Sequence, residues 1–278
     1  MLRRKNGFVL RLKRSERVRF HLFGSISGAI EKVTPRFYVP QCQIEREMLR
    51  IEGNEVRHIR RVLRLRVGDE ITVFDGSGKE YEGTIVKEGP TSVMIAVQNI
   101  LSSKKESPLE ITLAQSLLKG EKMEYLIQKA TELGVNEIIP FFSSRSVPLL
   151  DKSSSQKRCR RWERIAIEAS KQCGRGLIPG IRSLQDYSEM LEAAPPDSLR
   201  LILWERKGPR LKEVLDRSRE IKKTFFIVGP EGGMSRGEVE QAEKKGFLPV
   251  TLGERILRSE TASLCLLSIL QYERGDIG

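Results

Sequence analysis

Histidine and cysteine, which supply most zinc ligands and many catalytic pairs, are scarce in this chain of 278 residues. Its two histidines are His21 and His58. The four cysteines lie far apart, without C-x-x-C spacing, at Cys42, Cys159, Cys173 and Cys265. We therefore expect no metal site and no disulfide framework, and a cytoplasmic location fits this composition. A serine–histidine or cysteine–histidine hydrolase is disfavoured, because its chemistry would rest on His58 alone.

Long apolar runs are also absent. No stretch of eighteen consecutive apolar residues occurs, so we expect no transmembrane helix. The fingerprints G-x-G-x-x-G and G-x-x-x-x-G-K-[ST] are missing, which removes the best support for a nicotinamide or nucleoside-triphosphate enzyme. The hydrophobic content of 39% still suffices for real cores, and the length suits one large domain or two ordinary ones.

Acidic residues are outnumbered, and the formal net charge of +12 points to an acidic partner. The excess is uneven: residues 1–34 hold nine Lys or Arg and two acidic residues, so this leader carries over half of it. The leader could be an RNA-binding arm, an organellar transit peptide, or translation from too early a start codon. We favour the last and expect the leader to be poorly ordered.

The segment of residues 36–99 alternates short strands with tight turns, which predicts a small β-barrel. One helix is expected within it, at residues 53–65, with Val56, Ile59, Val62 and Leu63 on its packed face. The opposite face is basic. The polar stretch SSKKESP, residues 102–108, is the expected linker to a second domain.

Beyond the linker, strands alternate with helices, which predicts an α/β domain with a mainly parallel sheet. The strands are expected near residues 111–115, 137–141, 199–204, 225–228 and 248–252.

Two segments near the C-terminus each predict a strand, a glycine-bearing loop and a helix. In residues 225–240, GPEGG breaks the strand, and Ser235 with Glu238 forms a capping box that starts a helix. In residues 250–267, Gly253 precedes a helix expected at 261–272, which is apolar nearly all round and so should be buried in the core or against another subunit. Such loops bind ligands at helix N-termini, although each alone is equally typical of an α/β protein without one.

Taken together, GPEGG at residues 229–233 and LGERILRSETA at 252–262 resemble a known family. The chain is similar to the RsmE family in the SPOUT superfamily of S-adenosylmethionine-dependent RNA methyltransferases. The similarity covers residues 35–278 and includes RFYVP at 36–40, HIRRVLRLRVGD at 58–69, KGEKMEYLIQKATELGV at 119–135 and AIEASKQCGR at 166–175.

The resemblance implies a PUA-like RNA-binding β-barrel at residues 35–101 and a SPOUT α/β domain at 109–278, knotted as a trefoil around S-adenosylmethionine. It implies methylation of N3 of a specific uridine in 16S rRNA, within the assembled small ribosomal subunit. A homodimer is expected, with the apolar last helix in its contact, and neither a metal nor a membrane is involved. The alternatives are a SPOUT enzyme acting on another RNA, such as tRNA, and a non-catalytic RNA-binding assembly factor.

The family's cofactor-binding positions carry over to three loops. Trp204 is explained equally well by packing in the core. The positions are Leu203, Trp204, Glu205, Gly229, Pro230, Glu231, Gly232, Leu252, Gly253, Ile256, Leu257 and Arg258.

Uracil N3 carries a proton, so the enzyme must help to remove it and stabilise the resulting anion. Arg258 is the candidate for stabilising the anion, and Glu260 and Thr261 are candidates for proton handling or orientation. The carboxylate of Glu260 could equally serve to favour the start of its helix.

RNA-binding residues are expected in three places. Basic residues on the first-domain helix would bind phosphates, although a basic helix face is more often a solvated surface. Arg145 and the positions Gln172 and Arg175 of a predicted helix at 157–174 would hold the target. The full set is Arg36, His58, Arg60, Arg61, Arg64, Arg145, Gln172 and Arg175.

Overall fold

Two β-sheets organise the part of the chain that the structure describes, and together they form one unit, Thr34–Gly278. The structure is a computed structural model that describes residues 34–40, 44–45, 47–103, 106–146, 152–206 and 208–278. The expected leader, with His21, and Cys42 lie outside the described residues. Among the described helices, none combines the length and apolarity that crossing a membrane requires.

The first sheet contains six strands with the hydrogen-bonded order β1-β4-β5-β6-β3-β2. They are β1 (Arg36–Tyr38), β2 (Ile44–Glu45), β3 (Met48–Glu52), β4 (Glu70–Phe74), β5 (Lys79–Glu88) and β6 (Ser92–Ser102). Alternate residues, such as Leu49 and Ile51 of β3, pack into one core. Gly83 sits at a register shift of β5, where a Cβ atom would overlap the carbonyl oxygen of Ala96.

The helix expected at 53–65 is present but is not one regular helix. It begins as α1 (Asn54–Arg57) and continues as a π-helical segment, His58–Leu63. Because a π-helix bonds residue i to i+5, the face that follows is rotated relative to an α-helix. Val56 and Ile59 are buried as expected, but Val62 is 65% exposed and Leu63 is 42% exposed, so the assignment of these two residues to the packed face was wrong.

The second sheet is parallel, with order β10-β8-β7-β12-β11-β13 and β9 paired with β8, which confirms the expected α/β architecture. Its strands are β7 (Glu110–Ser116), β8 (Glu137–Phe142), β9 (Gly180–Ile181), β10 (Gln185–Asp186), β11 (Leu199–Leu203), β12 (Lys223–Val228) and β13 (Leu248–Val250). The helices are α2 (Lys122–Glu132), α3 (Lys152–Cys173), α4 (Tyr187–Glu192), α5 (Leu211–Arg217), α6 (Arg236–Lys244) and α7 (Ser259–Arg274).

Neighbouring residues of each strand feed two hydrophobic cores, one on each face of this sheet. On β12, for example, Phe226 packs with α2, α3, α5 and α7, while Phe225 packs with α4 and α6. Helices therefore cover both faces, as a parallel sheet requires.

The last helix, α7, is buried on one face rather than all round. Leu266, Leu267 and Leu270 lie in the core, whereas Cys265 and Ile269 are half-buried and Tyr272 is 68% exposed. The buried face also carries polar residues, Ser259, Ser263 and Gln271. Burial in the core is thus confirmed for one face of the helix, and burial of its other residues against another subunit stays a prediction.

Arg175 connects the two sheets and is not available to RNA. Its guanidinium is 4% exposed, and it donates to the Glu106 carboxylate at 3.0 Å and to the carbonyls of Thr131 and Val135 at 3.0 and 2.8 Å. Glu106 belongs to the expected linker and also accepts from the N–H of Leu177 at 2.9 Å. The expectation that Arg175 contacts RNA was wrong, because every partner of its guanidinium lies inside the protein.

Arg36 belongs to the same contact. It donates to the Arg175 carbonyl and to the Glu80 carboxylate, both at 2.9 Å, and its side chain is 16% exposed. The guanidinium also lies 5.0 Å from the centre of the Phe74 ring. Arg36 therefore joins the first sheet to the second, which corrects its assignment to RNA binding.

Arg175→Met should lower the free energy of unfolding by about 3 kcal/mol, because Glu106 and two buried carbonyls would lose their partner. Urea denaturation followed by circular dichroism measures this change. The control is Arg158→Met on the exposed surface of α3, the helix that precedes Arg175, and it should cost less than about 0.5 kcal/mol. Equal stability of the two variants would contradict the structural role of Arg175.

Candidate functional site

A cavity of about 540 Å³ opens at the carboxyl ends of β11, β12 and β13. This is the edge of a parallel sheet where ligands usually bind. All twelve residues that the sequence assigned to the cofactor pocket line it, from Leu203 on the first loop through Gly229 on the second to Arg258 on the third. The structure thus brings the three loops together, and their binding of a cofactor stays a prediction.

Two glycines shape the loops. At Gly229 a Cβ atom would lie 2.8 Å from Cγ of Met234, so a larger residue would displace a buried side chain. Gly253 has φ +106°, a conformation that other residues rarely adopt. Both loops can therefore bring their main chain close to the cavity.

A buried glutamine holds the second and third loops to each other. Gln115 of β7 is fully buried and donates to Oγ of Ser259 at 3.0 Å, and it accepts from Oγ of Ser263 at 2.6 Å. Oγ of Ser259 in turn donates to the carbonyl of Gly229 at 2.5 Å. We call these four residues the Gln115 network. Sequence reasoning missed it, although a glutamine in an otherwise apolar strand, together with serines at i and i+4, was a visible signal.

Glu238 fixes the second loop from its other side. The expected capping box with Ser235 is confirmed. Its carboxylate, in a residue 6% exposed, also accepts from the N–H of Ser144 at 2.8 Å and from Oγ of Ser144 at 3.0 Å. Burial raises the pKa of Glu238, but the bonds from Ser144 and Ser235 outweigh it and hold the pKa below its ordinary value.

Lys122 was not predicted to belong to the site. Its Nζ atom lies 3.0 Å from Oε1 of Glu231 on the second loop and 3.6 Å from Oε1 of Glu260 on α7. The bond to Glu231 raises the pKa of Lys122. Burial raises the pKa of Glu231, but hydrogen bonds from its own N–H and from the Lys122 ammonium outweigh burial and hold that pKa below its ordinary value. Both groups are therefore charged at neutral pH.

Two buried polar atoms beside the cavity have no hydrogen-bond partner among the described residues: Nε1 of Trp204 and Oε2 of Glu260. Such atoms are rare in native proteins and often indicate an absent ligand. Trp204 lines the cavity and also packs against the core that contains Phe225. Its position therefore suits both contact with a cofactor and packing in the core.

The three residues assigned to catalysis lie together at the start of α7. Arg258 is the exposed N-cap residue and lines the cavity, and Glu260 follows in the first turn. Thr261 is exposed. The position of Glu260 also suits a carboxylate that favours the helix N-terminus.

The remaining residues assigned to RNA lie on two surfaces. Arg145 is exposed at the cavity rim and donates to the Gly232 carbonyl at 3.0 Å. Gln172 is exposed on α3, and Arg61 and Arg64 are exposed on the first-domain helical segment. On that segment, His58 is half-buried and Arg60 donates to the Gly89 carbonyl at 3.0 Å.

Among the described residues, no three His, Cys, Asp or Glu side chains form a group that could hold a metal ion.

Comparison with known proteins identifies what the chain resembles. Residues 105–271 match a family described as an RNA methyltransferase domain, and residues 51–97 match one described as an RNA methyltransferase PUA domain. The ribosomal RNA small subunit methyltransferase E of Bacillus subtilis is 32% identical over 235 residues, covering 81% of this chain and 92% of that protein. Its namesake from Mesomycoplasma hyopneumoniae is 35% identical over 233 residues, covering 84% and 97%.

A solved structure agrees. The ribosomal RNA small subunit methyltransferase E of Neisseria gonorrhoeae, bound to S-adenosyl methionine, superposes with a TM-score of 0.81 at 36% identity. The match covers 88% of this chain and 100% of that one.

Glu238→Gln should lower the free energy of unfolding by about 2 kcal/mol at neutral pH, because a buried amide cannot accept all of the bonds that the carboxylate accepts. The folded pKa lies below the unfolded value of 4.5, so the stabilisation is present above 4.5 and is lost as the pH falls through the folded pKa. Urea denaturation at several pH values should show the two proteins converging in acid. A difference that is independent of pH would refute the role of the charge.

Proposed function

Because the chain belongs to the RsmE family of RNA methyltransferases, and combines a PUA domain with a SPOUT-type methyltransferase domain, we propose that it methylates small-subunit ribosomal RNA, with S-adenosylmethionine as the methyl donor. The base is a uridine of 16S rRNA, and the methyl group goes to its N3. The observation that carries the proposal is the cavity, whose walls contain every residue that the family pattern assigns to the cofactor.

The residues present suit S-adenosylmethionine. Apolar side chains of Leu203, Leu252 and Leu257 offer contact to an adenine ring, and the glycine-bearing loops expose main-chain groups for its polar atoms. The unpartnered Nε1 of Trp204 adds a donor. When bound, the cofactor supplies an electrophilic methyl group, so the protein mainly has to align the attacking nitrogen.

The chain's own residues then have to manage charge at the uridine. We assign Glu260 as the proton acceptor, since its Oε2 atom is buried and has no partner among the described residues. Arg258 and Lys122, both lining the cavity, supply positive charge to stabilise the uridine anion left when the N3 proton departs. The target base has to be unpaired or flipped out of its stack to reach them.

The test is transfer of labelled methyl from S-adenosylmethionine to small ribosomal subunits that lack the modification, to their naked RNA and to tRNA. Nucleoside mass spectrometry identifies the product, and N3-methyluridine in 16S rRNA is the expected result. Label on tRNA alone would mean that tRNA, and not ribosomal RNA, is the substrate. If the cofactor binds but none of the three RNAs is labelled, the substrate is another RNA. A chain that neither binds the cofactor nor labels any RNA would instead be a non-catalytic assembly factor.

A homodimer also belongs to this proposal. The half-buried Cys265 and Ile269 and the exposed Tyr272 leave an apolar surface on α7, and the exposed Tyr125 of α2 adds to it. Helices α2 and α7 pack against each other, so Tyr125 lies on a helix that adjoins α7. The trefoil knot and the cytoplasmic location stay predictions.

Gly232→Val should weaken S-adenosylmethionine binding by about a hundredfold, because the side chain would enter the cavity. The fold should persist, since a Cβ atom there meets no atom closer than Cβ of Arg145, at 3.4 Å. Isothermal titration calorimetry measures the affinity. The matched control is Gly237→Val on α6, where a Cβ atom has no neighbour within 4 Å. Equal affinity of both variants would remove the loop from the pocket.

Arg258→Ala should lower kcat by about a hundredfold, as expected for lost stabilisation of a developing charge. Cofactor affinity should change by less than about fivefold, because the interaction would form mainly in the transition state. Single-turnover methyl transfer and calorimetry separate the two effects. Arg236→Ala, an exposed arginine of α6, is the control. A large loss of affinity with an unchanged kcat would make Arg258 a cofactor ligand only.

A further inference from the structure

The outer face of α3 carries an unusual concentration of positive charge. Residues 157–172 contain six Lys or Arg and two Glu. Helical periodicity places four basic residues and Gln172 on one exposed stripe along the helix, with the exposed carboxylate of Glu168 between Arg164 and Gln172. We call it the α3 track, and it consists of Lys157, Arg160, Arg161, Arg164 and Gln172. Of these, the sequence had assigned only Gln172 to a ligand.

Most of this charge is not neutralised. Lys157, Arg160 and Arg164 form no ion pair with any residue that the structure describes. Arg161 pairs with Glu124 at 2.7 Å, but its side chain remains 59% exposed. Like charges held side by side on a helix destabilise it slightly, so the sequence tolerates a small cost here.

The α3 track connects two places that the proposed function already uses. At one end, Lys171 pairs with Glu55 of α1 at 2.8 Å, which brings the track to the basic helical segment of the first domain. In its N-terminal half, Arg161 pairs with Glu124 of α2, the helix that begins at the cavity-lining Lys122. The track spans about 22 Å, from the rise per residue of a helix.

The surface is also shaped to receive a chain. A shallow groove runs between α2 and α3, with Ile165 and the buried Ala169 at its floor. Gln128 lies on the α2 side, Arg161, Arg164 and Gln172 lie on the α3 side, and the carboxylate of Glu168 also lines the groove. Cationic and amide side chains around a partly apolar floor suit a sugar-phosphate backbone.

We propose that the α3 track binds the backbone phosphates of the single-stranded RNA that flanks the target base, and guides it from the first domain to the cavity. This inference rests on the proposed function and names the route of its substrate. A second copy of this chain is a poorer occupant, since the same cationic face would repel itself. The contacts are electrostatic and independent of base sequence, because the track holds no aromatic side chain for stacking.

The test is the double variant Arg160→Ala/Arg164→Ala. Neither residue contacts the cavity or forms an ion pair with the described residues, so the fold and S-adenosylmethionine affinity should be unchanged. Filter binding to transcribed 16S rRNA at several salt concentrations should show a salt slope smaller by about 1.4, for two lost phosphate contacts on a single strand. KM for the RNA should rise about tenfold at constant kcat.

The control is Lys244→Ala/Lys245→Ala, at the last residue and the C-cap of α6, which removes the same charge from exposed sites on the other face of the second sheet. It should leave the salt slope and KM unchanged. If both double variants have the same effect, net charge alone explains the result, and the proposal that the track binds RNA is refuted. An unchanged slope in the Arg160/Arg164 variant would also overturn it. Loss of activity on assembled subunits alone, with normal binding to naked RNA, would assign the surface to a ribosomal protein instead.

Failure of the proposed function gives a different pattern. If the wild-type chain transfers no methyl group to any RNA, the salt slopes of the two double variants still decide whether the track binds RNA. If the wild-type chain is active and both variants match it in slope and KM, the proposed function stands and the track does not.

Discussion

The buried amide of Gln115 is the constraint on which the geometry of the cavity depends. It sits on β7, in the interior of the parallel sheet, and its hydrogen bonds reach Ser259 and Ser263 on α7. An unpaired polar group at this depth costs about 1–3 kcal/mol, so the Gln115 network strongly favours one placement of α7 against the sheet. Because Ser259 also holds the Gly229 carbonyl, the same placement fixes both glycine-bearing loops before any ligand arrives.

Much of this arrangement can be predicted from local sequence. Five of the seven described strands of the second sheet, the glycine-bearing loops and the capping box of Ser235 and Glu238 are visible in periodicity and spacing, since each depends on residues within one element. The two-residue strands β9 and β10 are not. The Gln115 network is different, because Gln115 and Ser259 are separated by 144 positions. A local pattern marks Gln115 as unusual but cannot name its partner.

Two arginines show that local sequence also misassigns residues whose partners are distant in the chain. Arg36 and Arg175 lie in segments that resemble the family, and a basic residue near an RNA-binding surface is naturally assigned to RNA. Their environment depends on Glu80 and Glu106, at 44 and 69 positions' distance. Only the assembled fold shows that the Arg36 guanidinium joins the two sheets and that the Arg175 guanidinium is buried against Glu106 and main-chain carbonyls. Glu106 was taken for part of a linker because its neighbours are polar, yet it accepts bonds from Arg175 and Leu177. The error for Val62 has a related cause, since a π-helical turn leaves no signature in the spacing of apolar residues.

In the proposed reaction, the position of Lys122 gives the site a further property. One ammonium faces two carboxylates, Glu231 on the cofactor loop and Glu260 on α7, and the shorter contact is to Glu231. The Lys122 ammonium therefore compensates mainly the charge of Glu231, while Glu260 keeps an oxygen without a partner among the described residues. The same geometry couples the loops, because any movement of Glu231 on ligand binding changes how strongly Lys122 attracts Glu260.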